Sequence, residues 1–236
     1  MPSIYRKLIN LPINGWVWFL DYIYVAYWQI YDFFVRADSG QYKNTNHTLI
    51  PIILIPGIYE NWQFMKPIAD SLYEAGHPIH VIDGLGYNTG DVETMATVVD
   101  SYITKNNIDS CIIVAHSKGG LIGKYALANF NTHHAIKGMV ALNTPFSGSK
   151  YAYLLLPLKA ARMFIPTSPI LSTLAANTIV NTQIVSIYGQ FDPHIPKGSF
   201  LEGAKNVQLN TKGHFRIMKN KEVHQAILQN ITLLQS

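Results

Sequence analysis

Three side chains of the sequence have the types and order needed for nucleophilic catalysis. Ser117 lies within Ala-His-Ser-Lys-Gly-Gly, where an apolar run gives way to a helical pattern. A hydroxyl becomes an effective nucleophile only when a base takes its proton and a third group orients that base. Asp192 and His214 follow in the order serine, acid, histidine, each directly after an apolar run typical of a strand. The pattern therefore predicts a catalytic triad of Ser117, Asp192 and His214.

Other residues compete for the roles of base and acid. His194 shares the loop of Asp192, and a loop-stabilising hydrogen bond is favoured for it over a role as base. His116 adjoins Ser117, but a neighbour in a tight turn points its ring away from the serine hydroxyl, so packing or pocket lining is predicted. Three further candidates are set aside, because they follow a helix or precede the serine: His133, His134 and Asp83.

Backbone N–H groups near the serine could stabilise the negative charge of a tetrahedral intermediate. Ser117 is predicted to occupy a tight turn from strand to helix. A turn of this kind needs small residues on both sides, here Ala115 and Gly119. One N–H donor is predicted from Lys118, directly after the serine. The second is predicted from Ile58, in the Pro-Gly-Ile-Tyr loop that follows an earlier apolar run. Each donor of such an oxyanion hole contributes roughly 3–4 kcal/mol in the best-studied case.

The elements that must position these residues alternate between strand and helix. Apolar runs typical of strands buried on both faces occupy residues 49–55, 79–82, 111–115, 138–142, 184–188 and 207–209. Helical periodicity occupies residues 62–75, 92–106, 121–129 and 222–234. This alternation predicts an α/β fold, with a mostly parallel sheet covered by helices on both faces. The carboxyl ends of the strands would then bring the three triad residues to one edge of the sheet.

One stretch, at about residues 146–180, interrupts the alternation. Its prolines predict two short helices rather than one long helix. Long insertions between core elements commonly form lids or binding segments. The side chains expected to line a substrate pocket are Tyr59, His116, Phe146, Leu154, Leu155, Leu158 and Leu171, with Met163, Phe164 and Leu174 completing the apolar faces of the insertion.

The amino end, residues 1–45, has a composition unlike that of the predicted α/β domain at 46–236. Residues 15–36 are rich in Trp, Tyr and Phe, and their polar residues Asp21, Gln29 and Asp32 fall on one side of a helix. An amphipathic helix is therefore predicted rather than a membrane span, which needs about 20 mainly apolar residues. Packing on the chain's own domain or a partner subunit, peripheral contact with a membrane surface, and a true span all stay open, in that order of preference.

Composition excludes several classes of protein. Hydrophobic residues make up 48% and charged residues 14% of the 236 residues, against about 25% charged in an ordinary chain, which excludes disorder. The formal net charge of +4 comes without a run of like charges, so no nucleic-acid partner is predicted. The single cysteine excludes an intramolecular disulfide framework and a zinc-cysteine site. With no clear cleavable signal peptide, we expect a cytoplasmic protein that could lie peripherally at the membrane.

The motifs resemble those of the α/β-hydrolase superfamily, in its bacterial lipase and esterase branch, whose serine turn reads Ala-His-Ser-x-Gly. The resemblance runs from about residue 50 to the carboxyl end and includes the loop PGIYENW, the turn HSKGG, the stretch LNTPFSGS and the ending GHF. It implies cleavage of carboxylic esters without a cofactor, through an acyl-enzyme. Phe146 stands where a histidine is common, Ala115 where glycine is common, and residues 1–45 have no counterpart in minimal lipases.

The sequence therefore predicts a serine ester hydrolase that acts on a small-molecule or lipid ester with an apolar acyl group. A binding module with the same fold is the alternative from another class, although binding alone needs none of the triad residues. Acyl transfer or thioester cleavage on the same residues also stays open. Peptide cleavage is less favoured, because the sequence shows no charged specificity pocket. The oligomeric state and the length of the acyl chain stay open.

Overall fold

The computed structural model describes residues 2–35, 37–43, 49–155, 157 and 159–235, with side chains from residue 15 onwards except at 43, 155 and 159. Its centre is a parallel sheet of six strands in the order β2-β1-β3-β4-β5-β6. The strands are β1 (Ile52–Ile55), β2 (Ile79–Val81), β3 (Cys111–His116), β4 (Ile136–Leu142), β5 (Ile184–Phe191) and β6 (Lys205–Lys212). The predicted mostly parallel sheet is confirmed.

Helices cover both faces of the sheet, as the apolar runs predict. The helices are α1 (Pro2–Val35), α2 (Lys66–Glu74), α3 (Val92–Lys105), α4 (Lys118–Asn129), α5 (Pro169–Ala176) and α6 (Lys221–Leu234). Alternate residues of β1 point to opposite faces: Ile52 and Leu54 pack with α1, α2 and α6, whereas Ile53 and Ile55 pack with α3, α4 and α5. Because both faces are buried, β1 has no polar position.

The segment between β4 and β5 differs from the two helices predicted for it. Its described residues form two short 3-10 helices, Lys150–Leu155 and Lys159–Phe164, then α5, and then a third 3-10 helix, Ile179–Gln183. Proline explains the extra break. Pro169 begins α5, where its missing N–H has no partner to lose, so the chain after Phe164 starts a new helix instead of continuing the old one.

Helix α1 begins at Pro2, well before the aromatic-rich stretch, and it packs on the domain that follows. Val17, Tyr24 and Trp28 are buried, and the last two share the core cluster of β1. Within the described residues, no helix is both long enough and apolar enough to cross a membrane. Of the predicted segment at residues 1–45, residues 1, 36, 44 and 45 lie outside the described ones.

Candidate active site

Ser117 occupies the sharp turn between β3 and α4. Its φ of 52° and ψ of −120° are unusual for a residue with a side chain, and such strain costs on the order of 1–3 kcal/mol. The turn is tight because α4 approaches β1 closely: a methyl group at Gly119 would overlap the carbonyl oxygen of Ile55. One at Gly120 would overlap the hydroxyl of Thr144. Small residues are therefore required after the serine.

The structure brings Ser117, Asp192 and His214 together at the carboxyl edge of the sheet. The Oγ of Ser117 lies 2.9 Å from Nε2 of His214, and Nδ1 of His214 lies 2.7 Å from Oδ2 of Asp192. The second oxygen of Asp192 accepts the backbone N–H groups of His194 at 2.7 Å and of Ile195 at 3.0 Å. The carboxylate is thus fixed on one side and can orient the imidazole on the other. All three triad residues are buried.

The pKa shifts of Asp192 and His214 are those that suit the imidazole of His214 to act as a general base. Burial by itself would raise the pKa of Asp192, but the neighbouring His214 ring and the hydrogen bonds hold it below its usual value. Burial by itself would lower the pKa of His214, but the carboxylate of Asp192 outweighs it and raises the pKa above 6.5. The proton on Nδ1 therefore faces Asp192, which leaves the lone pair of Nε2 for the serine hydroxyl.

The loop after β1 contributes Ile58 to the wall of the same cavity. The N–H of Gly57 donates to Oε2 of Glu60 at 2.8 Å, so it is not free to bind a substrate oxygen. Across the described part of the chain, no group accepts the N–H of Ile58 or of Lys118. Ile58 lines the cavity in front of Ser117. These are the two donors that the sequence predicts for the oxyanion hole.

The side chain of Lys118 is buried and acts as an anchor. Its ammonium donates to the carbonyl oxygens of Asn88, at 2.7 Å, and Gly90. The side chain of Asn88 in turn donates to the carbonyl oxygen of Pro56 at 2.6 Å. Burial lowers the pKa of Lys118 to about 8. These contacts fasten the loop after β2 to the start of α4 and to the end of β1.

A cavity of about 220 Å³ opens directly in front of the serine. This is smaller than the roughly 300–1,000 Å³ of many small-molecule sites. Its walls are mainly apolar and come from the loop after β1, from the segment between β4 and β5, and from the loops of the triad. The lining side chains that complete it are Tyr59, Pro145, Tyr151, Ala152, Ala161, Phe164, Ile195 and Phe215.

Several side chains predicted to line the pocket lie elsewhere. Leu154 is 78% exposed, because its 3-10 helix turns it to the surface. Phe146 and Leu171 belong to the hydrophobic core beside α4, where the sheet draws them in. His116 lies behind the cavity. Tyr59 and Phe164 line it, as does Ile58, whereas Leu158 and the side chain of Leu155 lie outside the described residues.

His194, the rival base, forms part of the cavity wall. Burial lowers the pKa of its imidazole to about 3, and the neighbouring His214 acts in the same direction, so the ring is neutral at pH 7. Its Nε2 lies 3.2 Å from the hydroxyl of Tyr22 on α1. Its backbone N–H holds Asp192, which is the loop-stabilising role that the sequence favours.

Two buried carboxylates of the site escaped the sequence analysis. Glu60 accepts from Gly57, and Asp21 of α1 accepts the backbone N–H of His214 at 2.6 Å. Glu60 lies three residues after Gly57 in a loop already suspected of function, so a search for its acceptor could have found it. Asp21 is an acid within an aromatic-rich helix, and the sequence places it on the polar side of that helix without indicating a partner.

A metal ion fits this cluster poorly. Asp192, His194 and His214 present ligand atoms within 4.8 Å of one another. However, Nδ1 of His214 and Oδ2 of Asp192 lie only 2.7 Å apart, a distance that a shared proton explains. An ion bound at about 2.0–2.2 Å from both atoms would have to replace that hydrogen bond. The donor set is therefore best described as a hydrogen-bonded line of Ser117, His214 and Asp192 with the ring of His194 beside it.

A family model described as the alpha/beta hydrolase fold matches residues 50–164. The matched range contains β1 to β4 and the turn at Ser117. The chain has the α/β-hydrolase fold. Among curated proteins, none matches it in sequence.

Solved structures of lipases and esterases share the architecture. The lipase BlEst2 of Bacillus licheniformis superposes with a TM-score of 0.61 at 16% identity, over 81% of this chain and 94% of its own. The monoacylglycerol lipase of Paleococcus ferrophilus gives 0.58 at 16% identity, over 78% and 96%. A thermophilic esterase of Thermogutta terrifontis gives 0.55 at 14%, over 80% and 92%. At these identities the likeness establishes the fold.

Proposed function

We propose that this α/β hydrolase is a serine ester hydrolase that cleaves carboxylic esters of apolar acyl groups through an acyl-enzyme. One observation carries the proposal. The chain of contacts from Asp192 through His214 to the Oγ of Ser117 ends at an apolar cavity, and Ile58, whose N–H has no acceptor among the described residues, lines that cavity. A nucleophile, its base, the base's orienting group and an oxyanion donor thus surround one small space.

In the first half of the reaction, Oγ of Ser117 attacks the ester carbonyl carbon while Nε2 of His214 takes the hydroxyl proton. The carbonyl oxygen gains the negative charge and accepts the N–H groups of Ile58 and Lys118. When the tetrahedral intermediate collapses, the bond to the alcohol oxygen breaks. The alcohol leaves with the proton from Nε2, and the acyl group stays on Ser117.

Water completes the cycle. His214 takes a proton from a water molecule, whose oxygen attacks the acyl carbon, and a second tetrahedral intermediate forms at the same donors. Its collapse returns the proton to Oγ of Ser117 and releases the carboxylic acid. No redox step and no further reactant is needed.

The cavity wall points to an apolar and rather short acyl group. The segment between β4 and β5, for which the sequence predicts a lid, contributes Tyr151, Ala152, Ala161 and Phe164 to the cavity wall. The volume of about 220 Å³ favours an acyl chain of a few carbons over a long one in this arrangement of the cover.

A series of p-nitrophenyl esters of rising chain length tests the proposal. We expect turnover that peaks at short to medium chains and disappears in Ser117→Ala. Ser101→Ala is the matched control, because Ser101 is exposed on α3 and should leave turnover unchanged. Absence of turnover with every ester, in a folded protein, would contradict the proposal and favour a binding module.

A further inference from the structure

We propose that the outer face of α1 docks on an anionic lipid surface. In an ordinary surface helix the charged residues face water and the apolar residues face the protein, whereas in α1 the charged residues face the protein. Its acids point inward: Asp21 is fully buried, and Asp32 accepts hydrogen bonds from Gln63 and, at 2.6 Å, from Tyr87. Between residues 15 and 35, these two acids are the only charged residues. The outer face is therefore left without charge.

Large apolar side chains cover this outer face. Each is between 48% and 78% exposed: Trp16, Phe19, Tyr22, Ile23, Tyr27, Ile30, Phe33, Phe34 and Val35. Contiguous exposed apolar surface of this kind marks an interaction site. Trp and Tyr are the aromatic residues that favour the boundary between water and lipid, because each combines an apolar ring with a polar group.

Basic residues beside the helix indicate the sign of the partner. A groove of about 490 Å³ runs between Tyr24 and Tyr27 of α1 and the cations Arg216 and Lys219. The Nζ of Lys219 lies 5.9 Å from the centre of the Tyr24 ring. Residues 210–221 contain four basic residues and no acid. Cations next to an apolar helix face complement anionic headgroups above acyl chains.

A second copy of the chain fits this surface less well. The outer face of α1 offers no acid between residues 15 and 35 to a neighbour's Arg216 and Lys219, because Asp21 and Asp32 are both engaged inward. A lipid surface supplies both the apolar interior and the negative charge. The observations therefore favour lipid over self-association.

Docking would place the proposed active site beside the lipid. Tyr22 contacts the ring of His194 in the cavity wall, and the ring of Trp18 lies 6.4 Å from that of Tyr151. Only this link to an ester substrate rests on the proposed function. The docking itself follows from the surface.

Flotation with vesicles tests the docking without measuring activity. We expect the protein to float with vesicles of phosphatidylglycerol and phosphatidylcholine in equal parts, less with phosphatidylcholine alone, and less at high salt. Ile30→Gln/Phe34→Gln should lower the partition coefficient at least about tenfold, because two exposed side chains lose their apolar contact. Lys219→Glu should lower it about tenfold on the anionic vesicles only.

Phe200→Gln is the matched control, since Phe200 is 58% exposed and lies outside α1. It should float like the wild type. Circular dichroism verifies that every variant is folded, and hydrolysis of a soluble ester by Ile30→Gln/Phe34→Gln should stay at the wild-type level. Failure of the wild-type protein to float would overturn the docking, whatever its activity. The docking would also be overturned if the wild-type protein sedimented as a stable dimer and Ile30→Gln/Phe34→Gln sedimented as a monomer.

A different observation carries a second inference, which rests on the proposed function. Asp21 is a positioning residue for His214. Its Oδ2 accepts the backbone N–H of His214 at 2.6 Å, and its Oδ1 accepts those of Phe215 and Arg216 at 3.0 Å each. The carbonyl oxygen of His214 is held from the other side by Asn143, at 3.1 Å. The backbone that carries the imidazole is therefore clamped at both ends.

Charge adds to this placement. The carboxylates that favour protonation of His214 are Asp192, Asp21 and Glu60, while His194 and His116 face it as neighbouring rings. Removal of the Asp21 charge therefore lowers the pKa of His214, whereas a loss of packing alone would not. This difference separates a positioning role from a merely structural one.

The pH dependence of kcat/KM for a soluble ester tests Asp21. Asp21→Asn should lower kcat about tenfold or more with little change in KM, and should move the acidic limb to lower pH. Asp21→Glu keeps the charge but moves it, so it should lower kcat and leave the limb in place. Asp32→Asn is the matched control on the same helix and should change neither.

An active wild-type enzyme whose Asp21→Asn variant keeps its kcat and its acidic limb would overturn this inference. The inference would also be overturned if Asp21→Asn were only less stable and its folded fraction kept the acidic limb of the wild-type pH profile. An inactive wild-type protein would instead contradict the proposed function.

Discussion

The carboxylate of Glu60 lies 2.9 Å from Nδ1 of His116, and both side chains are buried. The same oxygen of Glu60 accepts the N–H of Gly57 in the loop after β1. The other nitrogen of the His116 ring donates to the carbonyl oxygen of His214 at 3.0 Å. This pair thus joins the loop that carries Ile58 to the loop that carries His214.

Replacement of Glu60 should affect both stability and turnover. In Glu60→Ala the N–H of Gly57 and the ring of His116 lose a buried partner, which costs about 1–3 kcal/mol of the free energy of unfolding for each such group. The loop that holds Ile58 then shifts, and we expect kcat to fall at least about tenfold. Urea unfolding and ester turnover measure the two effects.

Glu93→Ala serves as the control, because Glu93 is exposed on α3. It should change neither quantity. Wild-type kcat in Glu60→Ala would show that the oxyanion loop does not depend on this carboxylate.

The glycine after the serine turn should tolerate no side chain. In Gly119→Ala the new methyl group meets the backbone carbonyl of Ile55, which cannot move aside as a flexible side chain could. We expect a loss of about 1–3 kcal/mol of the free energy of unfolding, measured in urea. Gly15→Ala is the contrast, since nothing lies within 4 Å of that position and alanine favours a helix. Equal stability of the two variants would contradict the close approach of α4 to β1.

The rate of ester hydrolysis should depend on the protonation of His214. Its pKa is raised above 6.5, and only the neutral ring can accept the serine proton. We therefore expect kcat/KM to rise with pH, through an apparent pKa above that ordinary value. In Asp192→Asn the carboxylate that raises the pKa is gone, so the limb should move to lower pH. The value of kcat should fall about 10⁴-fold, as for the corresponding change in serine proteases. A limb that stays in place would mean that another group titrates.

Replacement of His214 and replacement of His194 should have very different effects on kcat. His214→Ala removes the base and should lower kcat by about 10⁶-fold. His194→Ala removes a wall of the cavity and the contact with Tyr22, so we expect a change in KM and a kcat within about tenfold of the wild type. Stopped assays on one short ester compare the two variants. A large fall of kcat in His194→Ala would assign that ring a part in proton transfer.

Local patterns predicted the sheet and the order of the serine, acid and histidine. The strand β3 has no polar residue before His116, and the small residues around Ser117 follow from the tight turn, so both signals lie within a few neighbouring positions. Because parallel strands end at one edge, their order also predicts that Asp192 and His214 meet the serine.

The cavity wall was harder to predict, because it depends on tertiary packing. Leu154 and Leu171 lie in similar apolar stretches, yet one is exposed and the other is in the core. Prolines in the segment between β4 and β5 break it into short 3-10 turns, for which a helical period predicts the facing side poorly. The contact between Asp21 and His214 joins residues 193 positions apart, so an acid in an aromatic-rich helix is visible in the sequence but its partner is not.

Reaction with a fluorophosphonate followed by intact-mass and peptide mass spectrometry tests the central claim most directly. We predict a single phosphonyl adduct on Ser117 in the wild-type protein, with loss of ester hydrolysis in step with labelling. Labelling should be absent in Ser117→Ala and strongly slowed in His214→Ala, because the hydroxyl then has no base. A folded wild-type protein that takes up no phosphonate, or takes it up on another residue, would contradict the account.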